Sequence, residues 1–428
     1  MASTTKKAWV VAVNMGYGHQ RTAYPLRHLA LEGKIINANN YEGIPSKDRN
    51  IWEKSRKFYE FISRIKRIPI IGQLAFAVMD KLQEILSYYP KRDLSKSNIQ
   101  LKQIYSLIKK NWGRHLIEEL KLRNGNLPFV TTFFVPAFMA EYFNYPGEIF
   151  CVVADADISR TWAPLEPGRS RIKYCAPNLR VVERLKAYGI KSENIFFTGY
   201  PLPQDIIDGE EMRNLKDDLG SRILNLDPQK RYLSKYEHLL ETYLGNLPSS
   251  SDHPLTIMFA VGGAGAQREI GIQIAKSLVV KIWAKELKVI LVAGIKEKVK
   301  EYFEHNLEKL KLKGNPSIEI IFEENIEDYF QKFNEALRKT DILWTKPSEL
   351  SFYSALGLPI IIAPPIGSQE EFNKRWLLKS GFGSLQENPR YAYQWLNDWI
   401  RQGYLAEAAM EGFIEGEKMG TMNIEQII

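Results

Sequence analysis

The amino-acid sequence predicts an α/β fold built from two parallel-sheet halves, and three observations carry that expectation. Short apolar runs of strand length alternate with amphipathic segments of helix length along most of the chain, the pattern of a parallel sheet covered on both faces. A charged stretch from Gln204 to Pro254 finishes in Pro248-Ser249-Ser250-Ser251-Asp252 and divides that alternation in two. Each half then opens on a strand that runs into a glycine-rich turn. The first turn is Asn14-Met15-Gly16-Tyr17-Gly18-His19, and the second is Gly262-Gly263-Ala264-Gly265-Ala266-Gln267.

With 428 residues the chain has room for two or three domains with ordinary cores. An apolar content of 45% and a charged content of 25% are those of a soluble globular protein. No apolar run approaches the roughly 18 residues that span a bilayer. Met1 to Lys7 is short and polar and leads into a strand pattern rather than a signal peptide, so a cytoplasmic protein is expected. Cys151 and Cys175 both sit in apolar runs, as buried thiols in a reducing compartment would, and they lack metal-ligand spacing. A net charge of +8 favours anionic partners, among them nucleotides, nucleic acid and acidic lipid surfaces, without choosing between them. Nucleic acid is not an expected partner, because the basic residues are spread over helical faces without a recognisable nucleic-acid module.

Ala8 to Val13 reads as the first strand, and a helical pattern follows from Thr22 to Leu31. The glycine-rich turn between them lets backbone approach a ligand closely. It is not the dinucleotide fingerprint, since Arg21 stands where a third glycine belongs and no P-loop lysine follows. His19 lies at the mouth of the turn. An imidazole with an ordinary pKa near about 6.5 can take a proton from a hydroxyl nucleophile, and it can equally cap a helix or bind backbone.

From Asn50 to Arg123 apolar and aromatic residues recur at helical spacing among cations. Trp52, Phe58, Phe61, Ile62 and Ile65 are interleaved with Lys54, Arg56, Lys57, Arg64, Lys66 and Arg67, and Ile68 to Ile85 adds a more apolar helix. Such helices can lie in an anionic membrane interface, where each basic residue contributes on the order of 1 kcal/mol. They can also pack on their own domain with a solvated cationic face.

Leu127 to Phe134 and Glu148 to Asp155 read as buried strands, the second ending in Asp155-Ala156-Asp157. Two aspartates at a strand end can chelate a nucleotide-bound metal, supply a general base or orient a histidine. Arg171 to Ala176, a helix from Asn178 to Tyr188, and Asn194 to Gly199 complete the first half. In the second, strands are expected at Leu255 to Val261, Lys288 to Ala293, Ile318 to Phe322, Ile342 to Trp344 and Pro359 to Ala363, and Tyr391 to Ile414 is helical.

The stretch from Asp341 to Gly383 is the most informative. Pro347 stops a strand, Ser348 suits an N-cap, Gly357 suits a helix end, and Ser368 caps another helix after Pro364-Pro365. Glu349, Gln369, Glu370, Glu371 and Asn373 therefore fall where strands end. Carboxylates and amides there suit a polyhydroxylated ligand, although acidic residues in a first helical turn also gain about 0.3 to 1 kcal/mol from the helix dipole.

Taken in order, these motifs resemble those of the GT-B glycosyltransferases of family 28. They are most like the monogalactosyldiacylglycerol synthases and processive diacylglycerol glucosyltransferases, and more distantly like the bacterial enzyme that adds N-acetylglucosamine to lipid-linked muramyl peptide. Gly16-Tyr17-Gly18-His19 is similar to the family's first glycine loop, and Asp155 to Trp162 to its acidic strand end and following tryptophan. Tyr174-Cys175-Ala176-Pro177 with Thr198-Gly199-Tyr200-Pro201 resembles the end of its acceptor domain. Gly262 to Gly265, Thr345-Lys346-Pro347 and Gln369 to Asn373 resemble its donor-domain signature. Ser159 stands where the family often has a histidine. Aligned from Gly357, the family's ribose-binding glutamate falls on Phe352, which leaves Glu349 for that work.

The resemblance implies a GT-B fold, two Rossmann-like domains facing a central cleft with a helical insertion in the N-terminal one. The expected division is an acceptor-side domain over 1–203 with its insertion at about 45–125, a helical linker over 204–254, a nucleotide-sugar domain over 255–390, and C-terminal helices over 391–428. It implies an inverting, metal-independent transfer of a hexose from a UDP-sugar, as co-substrate and with no cofactor, to an acceptor hydroxyl, with a lipid acceptor and peripheral contact with an anionic membrane among the expectations. His19 and Asp155 are the expected catalytic pair, and Gly16, Gly18, Asp157 and Trp162 line the acceptor side. Gly262, Gly263, Ala264, Gly265, Lys346, Ser348, Glu349, Gln369, Glu370 and Asn373 hold the donor. A catalytically silent nucleotide- or partner-binding GT-B protein, a UDP-sugar epimerase-like enzyme, and an enzyme using Asp155 and Asp157 as a metal site remain open alternatives.

Overall fold

The computed structural model describes residues 6–65, 85–86, 89–90, 92–263 and 265–428, without the side chains of 58–65 and 368. The expectations placed on Phe58, Phe61, Ile62, Arg64 and Ile65 as side chains, on Lys66, Arg67 and the more apolar insertion helix, and on Ala264 fall outside the described residues. The chain forms two α/β units, each built on a Rossmann-like parallel sheet. One comprises the chain up to Leu202 together with Ile366–Asn373 and Met419–Ile428, and the other Pro203–Pro365 with Lys374–Lys418.

The first unit holds a six-stranded parallel sheet of β1 (Trp9–Ala12), β2 (Ile36–Asn37), β3 (Phe129–Thr131), β4 (Ile149–Val152), β5 (Lys173–Ala176) and β6 (Ile195–Phe197), in the order β2-β1-β3-β4-β5-β6. Successive residues of β1 point to opposite faces. Trp9, Val11 and Val13 accordingly enter one core with Phe138 and Trp162, while Ala8, Val10 and Ala12 enter another with Leu26 and Ile424. A strand buried on both faces must be apolar throughout, which is why β1 reads as a continuous run in the sequence. The helical insertion is present as Ser46–Ile65, Ile99–Lys109 and Arg114–Asn124.

The helix expected over Thr22 to Leu31 begins earlier, at Tyr17, and stops at Ala23. Pro25 lacks an amide proton and cannot continue the α-helical ladder, so Tyr24–Leu29 winds as a 3₁₀ helix. The last helix, Gly420–Ile427, belongs to the first unit. Thr421 Oγ1 donates to the Leu202 carbonyl at 2.7 Å and Asn423 Nδ2 to the Thr198 carbonyl at 2.9 Å. A Cβ at Gly420 would lie 2.1 Å from the Tyr200 carbonyl oxygen, so only glycine allows that approach.

The second unit holds β7 (Leu255–Ala260), β8 (Leu287–Gly294), β9 (Ile318–Phe322), β10 (Ile342–Thr345), β11 (Ile360–Ile362) and β12 (Gly383–Leu385), all parallel, in the order β12-β11-β10-β7-β8-β9. Counted within the unit this is the 3-2-1-4-5-6 order of the Rossmann sheet. The segment expected as a linker lies in this unit. From its helix Arg213–Leu226, the buried Arg222 donates to the carbonyls of Thr340 (2.8 Å), Leu356 (2.9 Å) and Gly357 (3.1 Å). Nearby, His253 lies between two carboxylates, with Nδ1 2.5 Å from Asp252 and Nε2 3.2 Å from the fully buried Asp341. Among the described residues no helix is long and apolar enough to cross a membrane.

Candidate functional site

In an open parallel sheet, ligands lie beyond the carboxyl ends of the strands, at the point where the strand order reverses. In the first unit that point is between β1 and β3, and in the second it is between β7 and β10. The register aligns the strand ends there, with Val11 beside Thr131 and Ala260 beside Thr345. Both glycine-rich turns singled out in the sequence leave from these two points.

In the first unit Gly16, at φ 113°, turns the chain into the helix Tyr17–Ala23, and His19 follows in its first turn. His19 Nδ1 lies 2.8 Å from the Thr132 carbonyl oxygen, and Thr132 Oγ1 donates back to the His19 carbonyl at 2.8 Å. A carbonyl only accepts, so Nδ1 carries the proton in the neutral ring and Nε2 keeps the lone pair. That is the tautomer a general base needs. The Phe133 ring packs 4.6 Å from the imidazole and Trp162 6.5 Å away. Trp162 is buried against Phe134 at 5.0 Å, an apolar wall beside the histidine. The Gly18 carbonyl accepts from Thr22 Oγ1 at 2.8 Å within the helix. Asn39 holds the start of the loop at Asn14, accepting from its N–H at 2.9 Å and donating to its carbonyl at 3.0 Å.

The acidic end of β4 separates its two aspartates. Asp157 is buried, with Oδ1 2.8 Å from Arg184 Nε and Oδ2 2.8 Å from Arg184 Nη2 and 3.0 Å from Arg180 Nε. Arg184 is itself fully buried. Asp157 is thus the anion of an internal ion pair that fixes the helix Leu179–Ala187, and its oxygens are committed to guanidinium groups. Asp155 is half-buried, and Asn373 meets it from the segment Ile366–Asn373. Among the described residues no three His, Cys, Asp or Glu side chains converge as metal ligands.

At the second switch point Gly262, Gly263 and Gly265 leave the end of β7, with Gly265 at φ 70°. Lys346, the first residue after β10, stretches across Gly262. A Cβ built there would lie 2.3 Å from Lys346 Cε and 3.2 Å from Cδ. The glycine therefore makes room for the lysine stem and brings its cation to the loop. Gln267 Nε2 donates to the Pro364 carbonyl at 2.7 Å, tying the loop to the chain beyond β11. Ser348 precedes a 3₁₀ helix, Glu349–Leu356, where an α-helix was expected, and its side chain makes no capping bond. All eight residues of that helix are buried, Glu349 at its start included. Phe352 packs on Trp376 at 5.1 Å, as a core residue.

Gln369 and Glu370 lie in the first turn of the helix Ser368–Lys379. Glu370 is buried, and its Oε2 accepts from the Ile366 N–H at 2.7 Å. Gln369 is half-buried. The structure thus brings His19, Gly16, Gly18 and Trp162 together at one switch point, and Gly262, Gly263, Gly265 and Lys346 at the other. Thr132, Phe133 and Asn39 were missed as site residues. The signal for Thr132 was a pair of threonines closing an otherwise apolar strand.

No family model matches the chain, and no curated protein matches it. Solved structures match at low identity. The S. aureus MnaA complex with UDP has a TM-score of 0.45 at 14% identity, covering 77% of this chain and 80% of that one. A UDP-GlcNAc 2-epimerase from Neisseria meningitidis bound to UDP-GlcNAc has 0.43 at 15%, covering 80% and 83%. A glycosyltransferase from Rickettsia africae has 0.42 at 12%, covering 99% and 97%.

Proposed function

We propose that this protein is an inverting glycosyltransferase that moves a hexose from a UDP-sugar to an acceptor hydroxyl. The observation behind the proposal is the pairing of a glycine loop with a chemically apt side chain at the switch point of each sheet. The first offers a histidine whose Nδ1 is bound to the Thr132 carbonyl, which makes Nε2 the basic nitrogen of its neutral ring. The second offers a glycine loop crossed by a lysine.

In this reading the diphosphate lies on the N–H groups of Gly262, Gly263 and Gly265 with Lys346 as its cation. Gln369 meets sugar hydroxyls and Glu349 the ribose. The acceptor oxygen attacks the anomeric carbon while the carbon–oxygen bond to the diphosphate breaks. Its electron pair leaves with UDP, and the acceptor proton passes to His19 Nε2. Attack opposite the leaving group inverts the anomeric centre. The charge on UDP is met by Lys346 and backbone, so transfer is expected to continue in excess chelator. A lipid hydroxyl is the acceptor that the family resemblance suggests.

A second reading, nucleotide binding without turnover, has one observation behind it: Phe352, at the family's ribose-binding position, is packed into the core. The deciding assay follows UDP release and product anomer with a panel of UDP-hexoses, with and without diacylglycerol or sugar acceptors. The proposal expects acceptor-dependent UDP release that falls on the order of 100- to 10,000-fold in His19→Ala, with UDP affinity kept. Binding without release under every acceptor supports the second reading. Acceptor-independent interconversion of the donor sugar indicates an epimerase.

A further inference from the structure

We infer that Asn373 is a positioning residue for Asp155 rather than a ligand of the donor sugar, an inference that rests on the proposed transfer reaction and on the catalytic role that the family resemblance implies for Asp155 beside His19. Asn373 is fully buried. Its Oδ1 accepts from the Ala156 N–H at 2.8 Å, and its Nδ2 donates to Asp155 Oδ1 at 3.4 Å. A buried amide must find partners for both ends, and here the strand end beyond β4 provides them. Ala156 is gripped from its other side as well, since Asn178 Nδ2 donates to its carbonyl at 3.1 Å. Two asparagines therefore clamp Ala156, the residue that follows Asp155, and one of them also touches the carboxylate. That fixes where the Asp155 side chain stands.

The helix Ser368–Lys379 extends the consequence. Gln369 and Asn373 are four residues apart and share a face one turn from each other. Glu370 closes the start of this helix by accepting from Ile366 N–H at 2.7 Å, so the turn is a braced unit. A sugar hydroxyl held by Gln369 would act on the same helical turn that sets Asp155.

The test uses the full chain with Asn373→Asp, Asn373→Ala and the double variant Asn373→Asp with Asp155→Asn. Asn373→Asp keeps an acceptor for Ala156 but sets a second carboxylate against Asp155, and two such groups share a proton. A folded-state carboxylate pKa raised above about 3.9 costs stability increasingly as pH rises from that value through the raised one. The melting-temperature deficit of Asn373→Asp should therefore widen between about pH 4 and pH 7 and lose its pH dependence in the double variant. In turnover, Asn373→Ala should lower kcat on the order of 10- to 100-fold, with UDP-sugar affinity unchanged. A pH-independent deficit, or one indifferent to Asp155→Asn, overturns the contact. Weakened sugar affinity with kcat preserved makes Asn373 a donor ligand and overturns the positioning role. Failure of the wild type to turn over any UDP-sugar overturns the proposed reaction and this role with it, and is recognised because the wild type itself is silent.

Discussion

Replacing Gly262 with alanine puts a methyl group where Lys346 now lies. The added Cβ would sit 2.3 Å from Lys346 Cε, 3.2 Å from Cδ and 3.5 Å from Nζ. All three atoms belong to a flexible side chain, so the lysine swings away while the sheet stays in place. The stability cost should be below about 1 kcal/mol, because no backbone or core group has to move. Donor affinity should suffer more. A charge-assisted contact to phosphate contributes about 1.5 to 3 kcal/mol, which corresponds to roughly 10- to 150-fold in Kd. Isothermal titration with UDP on Gly262→Ala, Lys346→Ala and the double variant forms a cycle. If the glycine acts by placing the lysine, the double variant loses no more than Lys346→Ala alone. Additive losses, or an unchanged UDP affinity in Gly262→Ala, would refute the idea that this glycine exists to seat that cation.

Three further outcomes follow from the packing. Arg222→Ala leaves three buried carbonyls without their donor and should cost about 3 to 5 kcal/mol, a drop of roughly 6 to 20 °C in the melting temperature of the second unit by calorimetry. Burial disfavours a charged His253, but the Asp341 and Asp252 carboxylates outweigh it and raise its pKa above 6.5. Stability from this imidazolium is complete below that value and is lost as pH rises through the raised pKa, so melting temperature should fall above pH 6.5, and His253→Gln should flatten that fall. Gly420→Ala drives a methyl group into the Tyr200 carbonyl and should destabilise the first unit by about 1 to 3 kcal/mol, which urea unfolding measures.

Ten of the twelve strands among the described residues could be read from the sequence, because each is an apolar run bounded by polar or glycine residues. Those missed, Ile36–Asn37 and Gly383–Leu385, are edge strands of two and three residues, too short to show any period. The glycine loops were visible for the same reason they matter, since a strand that ends on glycine announces close backbone approach. What could not be read was which polar groups are already spent. Asp155 and Asp157 look equivalent in the sequence, and only the fold shows that Arg184 claims the second. Asn373 and Gln369 look like one motif, yet one is fully buried and the other half-buried. Ser348 suggested an α-helical cap, but the segment it opens is buried along its whole length and winds as 3₁₀. Side-chain destinations depend on neighbours far away in the chain, and local pattern does not encode them.

A thermal-shift titration with UDP-sugars reaches the proposed donor site without requiring the acceptor to be known. Ligand that binds only the folded protein stabilises it by about 2.7 kcal/mol at 100 times its Kd. The wild type should therefore melt at rising temperature as a UDP-sugar is added, and Lys346→Ala should lose most of that rise. Wild-type protein whose melting temperature no UDP-, GDP-, ADP- or TDP-sugar moves, or a Lys346→Ala variant that keeps the full shift, would contradict a nucleotide-sugar site at the end of β7 and β10.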